Sequence, residues 1–369
     1  MSKFVPIAEG FISIREPGTP TALPCGPRFA VLGEQEILCS FMAQSAAGIN
    51  DLKVLFARSR DGGRTWRDEG YLWPELHPRY ALFGSISRAP GGDILFFGAR
   101  TPIDKPGESF WNDATQGLKQ NELIWGLSRD GGRTWSDPTP IPMPIPGSAE
   151  APGALCVGRD GVWHACYAPY NTFDPALAVD RNQVVYLRSE DRSRTWRHAS
   201  MLRFAETYAT SAEAWVVELA DGRLLGTCWN LNQKDGADFP NAYGLSPDGG
   251  RTWLPTRSTG IRGQSTSLTA LPDGRALFTY NQRKHGEIGV WMALVRPTAQ
   301  DFGIEFNEPI WRAATATVGG TSTKHSNWVD FAFGEPSTAL LPSGDILAAL
   351  WCVQPEGRGI RYVRGRLES

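Results

Sequence analysis

The chain has 369 residues, among them 40 Gly, 27 Pro and 14 Trp. This composition favours an all-β protein rich in turns, because long helices have little room between so many Gly and Pro residues. The formal net charge of −2 and the lack of a basic run make nucleic acid and anionic membranes poor candidate partners. The sequence has neither the apolar core of a secretory signal nor an apolar run of membrane-spanning length. We therefore expect a cytoplasmic protein without membrane partners.

An apolar strand, a turn with Gly and a second apolar strand recur six times along the chain. The six turns contain Gly33, Gly91, Gly161, Gly222, Gly274 and Gly344. Repeated units of this kind are typical of propeller blades or solenoids. Six hairpins in a chain of this length predict an all-β fold, a six-bladed β-propeller, as a single domain over residues 1–369.

The pattern Ser-x-Asp-x-x-Arg-Thr-Trp, here called the Asp turn, occurs four times. Its copies are Ser59–Trp66, Ser128–Trp135, Ser189–Trp196 and Ser246–Trp253. We expect the Asp to accept hydrogen bonds from backbone N–H groups one and two residues on, with Gly supplying positive φ. The Trp is expected on the returning strand, where its ring fills the gap between neighbouring sheets. Because the same turn recurs while a catalytic centre occurs once, these Asp residues are interpreted as structural.

Neither cysteine nor histidine spacing indicates a metal site. The six cysteines include no Cys-x-x-Cys pair, and the five histidines show no metal-binding or Ser/His/Asp pattern. Cys156 and Cys166 could face each other across the third hairpin, but we expect reduced core cysteines in a cytoplasmic compartment. The sequence therefore predicts no metal and no cofactor.

The Asp turns in an array of blades resemble the sialidase (neuraminidase) superfamily, whose members carry BNR or Asp-box repeats. The resemblance covers the chain from about residue 28 to residue 344. It implies a six-bladed propeller that acts as an exo-glycosidase. In that family three arginines bind a sugar carboxylate, a Tyr assisted by a Glu is the nucleophile, and an Asp is the acid/base.

The family's arginines are only partly matched. Arg28, in Arg28-Phe-Ala-Val-Leu, resembles the first carboxylate-binding Arg on the first inner strand. Where the family has its second Arg just before Asn, this chain has Trp229 before Asn230. Arg283, in Tyr280-Asn-Gln-Arg, is the candidate for the third.

The catalytic groups also depart from the family pattern. Glu213, in Ser-Ala-Glu-Ala-Trp-Val-Val-Glu-Leu, is similar to the Glu that polarises the nucleophile. The expected Tyr before the last hairpin is replaced by Glu335, in Phe-Gly-Glu-Pro-Ser. Asp51 lies where the acid/base loop is expected. The nearest substitutes for a phenolic nucleophile are Tyr170, Tyr208 and Tyr280.

The inner strands of a propeller converge on its axis, so residues just before each hairpin are expected to face a central pocket. These residues are Arg28, Glu150, Glu213, Gln264 and Glu335. Several carboxylates around one channel repel one another, which raises their pKa values and suits general acid/base chemistry. Alternatively, each Glu pairs with an arginine of the channel such as Arg28, Arg100 or Arg283. Trp229 and Trp351, at matching places on two second strands, either stack on a sugar or plug the axis.

These features predict a sugar-active enzyme of the sialidase superfamily, with a small sugar or glycoside as its partner. We expect an exo-acting glycoside hydrolase on an acidic or modified sugar, with Glu213 and either Glu335 or Asp51 as its catalytic carboxylates. A non-catalytic carbohydrate-binding propeller and a lyase or isomerase acting on uronate-type sugars are the alternatives. Because one Arg and the Tyr are replaced, we expect no useful hydrolysis of ordinary sialosides.

Overall fold

The computed structural model describes residues 3–319 and 325–368. Within these ranges the strands form six large sheets and one two-stranded hairpin, arranged as a six-bladed β-propeller. The same residues contain no α-helix, only the short 3-10 helices Pro74–Leu76 and His325–Asp330. The predicted all-β, six-bladed fold is confirmed. That it is a single domain stays a prediction.

Each blade contains antiparallel strands ordered from the axis outwards. Strand β1 (Lys3–Ile14) precedes them. Blade 1 consists of β2 (Leu23–Val31), β3 (Ile37–Gln44), β4 (Lys53–Ser59) and β5 (Arg67–Tyr71). Blade 2 begins with β6 (Tyr80–Arg88) and β7 (Ile94–Pro102). The separate small hairpin of β8 (Trp111–Asn112) and β9 (Gly117–Leu118) follows in the chain. The blade ends with β10 (Glu122–Ser128) and β11 (Thr139–Ile141).

Blade 3 consists of β12 (Ser148–Glu150), β13 (Cys156–Val157), β14 (Trp163–Tyr170), β15 (Gln183–Ser189) and β16 (Arg197–Arg203). Blade 4 consists of β17 (Ala209–Glu218), β18 (Leu224–Asn232), β19 (Ala242–Ser246) and β20 (Arg257–Ser258). Blade 5 consists of β21 (Gln264–Ala270), β22 (Ala276–Gln282), β23 (Gly289–Val295) and β24 (Ile304–Arg312). Blade 6 consists of β25 (Phe333–Leu340), β26 (Ile346–Gln354) and β27 (Gly357–Glu368).

Strand β1 completes blade 6 and so closes the ring. It pairs antiparallel with β27, with Lys3 opposite Glu368 and Ile14 opposite Gly359. Its apolar residue Ile12 is buried and packs into a core cluster together with residues of blade 1. The two ends of the described chain therefore lie in one sheet, a closure that the sequence did not predict.

The Asp turns join the third and fourth strands of blades 1–4, on the face where the inner strands end. In the first turn, Asp61 Oδ1 accepts from the backbone N–H groups of Arg64 and Thr65, at 3.0 and 2.9 Å. These donors lie three and four residues on, not one and two as expected. Ser59 Oγ accepts from the N–H of Gly63 at 2.8 Å. Each Trp comes before the fourth strand and not within it, as Trp66 before β5 shows.

All six cysteines are free. Cys156 lies opposite His164 in the ladder, while Cys166 lies opposite Tyr186. The two thiols therefore do not pair across the third hairpin. Among the described residues, no helix is long and apolar enough to cross a membrane.

Candidate functional site

A cavity of about 210 Å³ lies at the axis, on the face where the inner strands begin. Every blade contributes to its wall: examples from blades 1 to 6 are Cys25, Phe83, Glu150, Glu213, Ser265 and Glu335. Most of the other lining side chains are apolar or aromatic. Charged groups in such a wall lose much of their hydration, which disfavours their ionised forms.

Bulges in three inner strands set the direction of the polar side chains. The register shifts within β17, β21 and β25, and at these points Glu213, Ser265 and Glu335 have φ values of 50°, 52° and 46°. Non-glycine residues rarely adopt this left-handed conformation, and its strain is often found at functional sites. In blade 1 the bulge contains Gly26, with φ 55°. The repeated bulge thus delivers two carboxylates and one hydroxyl to the same cavity.

Glu213 is held by three neighbouring groups, one of which is Thr266, whose Oγ1 donates to the Glu213 carbonyl oxygen at 3.1 Å. Its Oε1 accepts from Ser265 Oγ at 2.8 Å, and its backbone N–H donates to Glu150 Oε2 at 2.7 Å. Its Oε2 is buried and has no hydrogen-bond partner in the described part of the chain. Burial, followed by the charges of Glu335 and Glu150, raises the pKa of Glu213 well above its ordinary value. These surroundings therefore favour the protonated form of Glu213, and one of its oxygens is uncommitted.

Glu150 is a second carboxyl group with a raised pKa. Burial raises the pKa of Glu150 to about 8, against the stabilising hydrogen bond from the Glu213 N–H. The charge of Glu335 raises it further, whereas the charge of Arg28 lowers it. The surroundings of Glu150 and Glu213 consequently disfavour a negative charge on either group.

Glu335 has the most favourable surroundings for an ionised carboxylate. Burial raises its pKa, but the charge of Arg28, a hydrogen bond from the Gly26 N–H and the charge of Arg283 all lower it. Glu213 lacks such close compensation, since its main neighbours are carboxylates. The pKa of both carboxyl groups is therefore raised, but two arginines offset the rise at Glu335 whereas neighbouring carboxylates add to it at Glu213.

Arg283 lines the cavity, yet its guanidinium is largely committed to the protein. It donates to the carbonyl oxygen of Phe333 from Nε at 3.2 Å and also from Nη2, and to Gln264 Oε1 from Nη1 at 3.3 Å. It also lies over the Phe331 ring, 3.9 Å from the centroid. A Cβ on Gly334 would come within 2.7 Å of Arg283 Nη2, so a glycine is needed beside it.

Asp238 organises the wall behind Trp229. Its buried carboxylate accepts from Trp229 Nε1 at 3.0 Å and from Gln264 Nε2 at 2.8 Å. His285 Nε2 lies 2.8 Å from the same carboxylate, and Lys284 Nζ lies 3.4 Å away. This network fixes the orientation of the Trp229 ring against the cavity.

Several aromatic side chains form part of the cavity wall. Trp111, in the β8–β9 hairpin, makes edge-to-face contacts with Trp328 of the second 3-10 helix and with Tyr170, at centroid distances of 6.4 and 6.1 Å. Phe110 stacks on Trp328 at 5.4 Å. These rings offer flat apolar surfaces of the kind on which sugar rings stack.

The structure brings six of the ten predicted site residues to the cavity wall. They are Glu150, Glu213, Trp229, Arg283, Glu335 and Trp351. The roles assigned to them, as to the other four, stay predictions.

The other four predicted residues lie outside the lining of this cavity. Arg28 is buried and donates to the carbonyl oxygens of Pro27, Pro152 and Glu335. Gln264 is buried between Asp238 and Arg283.

Asp51 and Arg100 are also engaged away from the cavity wall. Asp51 Oδ1 accepts from the backbone N–H of Ser45 at 3.2 Å. Arg100 pairs with Glu122 at 2.9 Å.

Of the three candidate tyrosines, only Tyr170 lines the cavity. Its phenol is buried, which raises the pKa of Tyr170. Tyr280 donates to Asn307 at 2.9 Å within the core of blade 5. Tyr208 lies beside Lys234 and Phe239.

Sequence reasoning missed Ser265, Asp238 and the lining rings of Phe110, Trp111 and Trp328. A signal for Ser265 exists: Glu213, Ser265 and Glu335 each lie nine residues before the glycine of their hairpin. The same offset would have pointed to all three bulges. Asp238 lies in a loop and carries no comparable signal.

The sequence profile of the BNR repeat-like domain family matches residues 35–311. The chain belongs to this family. The predicted resemblance to sialidase-like BNR repeat proteins is thereby confirmed. A search of curated protein sequences gives no match for this BNR repeat-like domain protein.

Solved structures with the same fold include a protein of unknown function from Dyadobacter fermentans DSM 18053. It is 19% identical, with a TM-score of 0.75, over 100% of this chain and 99% of the other. The Hadza microbial sialidase Hz136 is 17% identical, with a TM-score of 0.67, over 94% of this chain and 66% of the sialidase. The α-L-arabinanase of Penicillium chrysogenum, complexed with arabinobiose, is 14% identical, with a TM-score of 0.66, over 98% of each chain.

Proposed function

We propose that this BNR repeat-like domain protein is an exo-acting glycoside hydrolase whose axial cavity takes the terminal unit of a neutral sugar chain. The proposal rests on one observation: two partly buried carboxyl groups, Glu213 and Glu335, line the same cavity, where neighbouring carboxylates favour the protonated form of Glu213 and neighbouring arginines favour the ionised form of Glu335. Pairs of titratable groups whose surroundings push their pKa values apart are the usual basis of acid and base roles.

Glu213 is the proposed general acid. The raised pKa of its carboxyl favours the protonated form, and the uncommitted Oε2 is available to the glycosidic oxygen. Transfer of this proton to the leaving oxygen breaks the glycosidic bond and leaves Glu213 ionised.

Glu335 is the proposed second carboxylate. In its ionised form, favoured by Arg28 and Arg283, it stabilises the positive charge that develops on the sugar. It then acts either as the nucleophile or as the base that activates water, according to its separation from Glu213 across the sugar. Glu150, bonded to the Glu213 backbone, is proposed to position the acid.

The charge of the wall supports a neutral sugar and not the acidic one expected from the sequence. Three carboxyl groups line the cavity, whereas Arg283 is committed to Phe333 and Gln264. Lys119, the other lining cation in the described chain, is paired with Glu108 at 2.5 Å and with Asp104 at 2.7 Å. A sugar carboxylate would meet the charge of ionised Glu335 and would find no free cationic partner among these lining residues. The arabinanase of similar length bound to arabinobiose offers a precedent for a neutral sugar in this fold.

A glycoside panel tests the proposal. Neutral aryl pentosides and hexosides, aryl uronides and a fluorogenic sialoside are offered to the wild type and to Glu213→Gln. We expect cleavage of a neutral glycoside, with turnover lowered about 10²-fold or more in the variant because the proton donor is lost. Glu305→Gln, on the exposed outer strand β24, is the matched control and should retain full turnover.

Other outcomes identify the alternatives. Robust sialoside cleavage abolished by Arg28→Ala would restore the family's ordinary chemistry. Sugar binding without turnover, equal in wild type and Glu213→Gln, would identify a binding propeller. An unsaturated product from a uronide would identify a lyase.

A further inference from the structure

Three of the four Asp turns are fastened to the preceding blade by an arginine. In each case the guanidinium donates to the carbonyl of the residue that follows the turn's Asp, at 2.8, 2.8 and 2.9 Å: Arg364 to Gly62, Arg58 to Gly131 and Arg188 to Gly249. The arginine fills the space between the two blades and satisfies a carbonyl group there.

The glycine that follows this carbonyl group in the turn allows the two blades to pack closely in two of these interfaces. A Cβ on Gly132 would lie 2.5 Å from Leu38 Cδ2, and a Cβ on Gly250 would lie 1.8 Å from the Tyr186 hydroxyl. Real Cβ atoms do not approach neighbours so closely. Glycine at this position therefore allows these two turns to pack closely against the preceding blade.

The third turn lacks both devices. Arg192 and Ser193 replace the two glycines of this turn and have φ values of 56° and 70°. In the preceding blade, Leu127 lies just before the turn's Ser, the position that Arg58 and Arg188 occupy in their blades. Consecutive non-glycine residues in the left-handed region are strained. At this interface, between blades 2 and 3, the structure contains a groove of about 690 Å³. It lies on the face of the Asp turns, opposite the axial cavity.

The groove carries uncommitted positive charge. Arg129, Arg192 and Arg194 line it, and all three are exposed. None of them makes an ion pair with another residue in the described ranges. The remaining lining arginine, Arg159, is engaged by Glu218.

The acidic residues of the groove are mostly occupied. Asp191 accepts from Ser189 and Thr195 within its own turn. Glu190 pairs with Arg188 at 2.6 Å and with Arg251 at 3.5 Å.

Asp93 is the third acidic residue lining the groove. The three arginines without an ion pair therefore outnumber the one acidic residue that is not already engaged as described for Asp191 and Glu190. Trp125 and Trp163, edge to face at 4.8 Å, supply an apolar wall.

We propose that this groove binds an anionic carbohydrate segment. Carboxylate or sulfate groups of the glycan pair with Arg129, Arg192 and Arg194, since the planar guanidinium matches both anions bidentately. A sugar ring packs against Trp125. The site is separate from the axial cavity and does not depend on the function proposed for it.

Isothermal titration of the full chain with three probes tests this site: oligogalacturonate for carboxylate, a dextran sulfate oligosaccharide for sulfate, and uncharged dextran. We expect binding of at least one anionic probe and none of uncharged dextran. Arg192→Gly and Arg194→Gln should each weaken binding about tenfold. Arg64→Gln, the same turn position in blade 1 and outside the groove, should change it less than about twofold.

Arg192→Gly keeps the test independent of folding, because glycine occupies this position in the other three turns and relieves the strained φ. Its thermal unfolding temperature should equal or exceed that of the wild type. Failure of both anionic probes to bind at low salt would overturn the site, as would equal weakening by Arg64→Gln. Glu213→Gln should leave binding unchanged, and a loss there would place the probe in the axial cavity instead.

Discussion

At the scale of the residue, the cavity contains acidic groups whose ionisation is disfavoured by the fold. Glu150 shows the effect most clearly, because burial raises its pKa from 4.5 to about 8. Between these values the unfolded chain releases the proton while the folded chain retains it. The stabilisation of the folded state by protonated Glu150 is therefore fully present below pH 4.5. It is lost progressively as the pH rises from 4.5 to about 8, and is absent above that value.

Replacing Glu150 by Gln should remove this loss. The amide oxygen can still accept from the Glu213 N–H, so the bulge is retained. We expect the variant to unfold on the order of a few °C higher than the wild type at pH 8.5, with a much smaller difference at pH 4.5. Thermal unfolding at both pH values measures it, with Glu305→Gln as an exposed control. A gain of the same size at both pH values would show that ionisation of Glu150 is not the cause.

At the scale of the element, the bulged inner strands link backbone strain to side-chain chemistry. Ser265 adopts φ 52°, and its hydroxyl donates to Glu213, which lowers the pKa of that carboxyl against the larger effect of burial. Ser265→Gly and Ser265→Ala both remove the hydroxyl, but only the Ala variant retains a Cβ in the strained conformation.

We expect the Gly variant to be more stable than the Ala variant by about 1 kcal/mol, because glycine adopts the left-handed region without strain. Both should move the alkaline limb of the rate profile to higher pH, since Glu213 loses a hydrogen bond that favours its ion. Urea unfolding and pH–rate profiles are the measurements. If Ala is at least as stable as Gly, the bulge is not strained as described.

The elements differ in how far the sequence predicts them. The six hairpins follow from alternating apolar runs around Gly, and the glycines at 222, 274 and 344 have φ of 88°, 83° and 82°, as tight turns require. Arg28 shows the limit of such reasoning. Its place on the first inner strand is correct, but the bulge at Gly26 alters which side chains reach the cavity. A pattern of strand residues does not specify that change of register.

At the scale of the whole molecule, ring closure depends on contacts that local sequence does not encode. Strand β1 resembles any other apolar segment, and its pairing with β27 joins residues more than 300 positions apart. The groove between blades 2 and 3 is likewise recognised only when equivalent positions of the blades are compared. Leu127 and Ser193 stand where other interfaces have an arginine and a glycine, and neither residue by itself indicates a groove.

Closure by β1 predicts that a side chain near the start of the chain contributes to the stability of the entire ring. Ile12 and Ile7 lie on the same strand, but Ile12 is 3% exposed and Ile7 is 53% exposed. Ile12→Ala removes buried methyl groups next to blade 1 and should lower the free energy of unfolding by about 2–4 kcal/mol. Ile7→Ala, the matched control, should change it by less than about 0.5 kcal/mol.

Calorimetry distinguishes a cooperative ring from independent blades. If the propeller is a single domain, Ile12→Ala moves one unfolding transition to lower temperature as a unit, because loss of blade 6 leaves the neighbouring inner strands without a partner. A separate low-temperature transition, with the main one unchanged, would mean that blade 6 with β1 unfolds on its own. Equal effects of the two substitutions would mean that β1 does not contribute its buried face to the core, and the ring would then be closed by backbone hydrogen bonds alone.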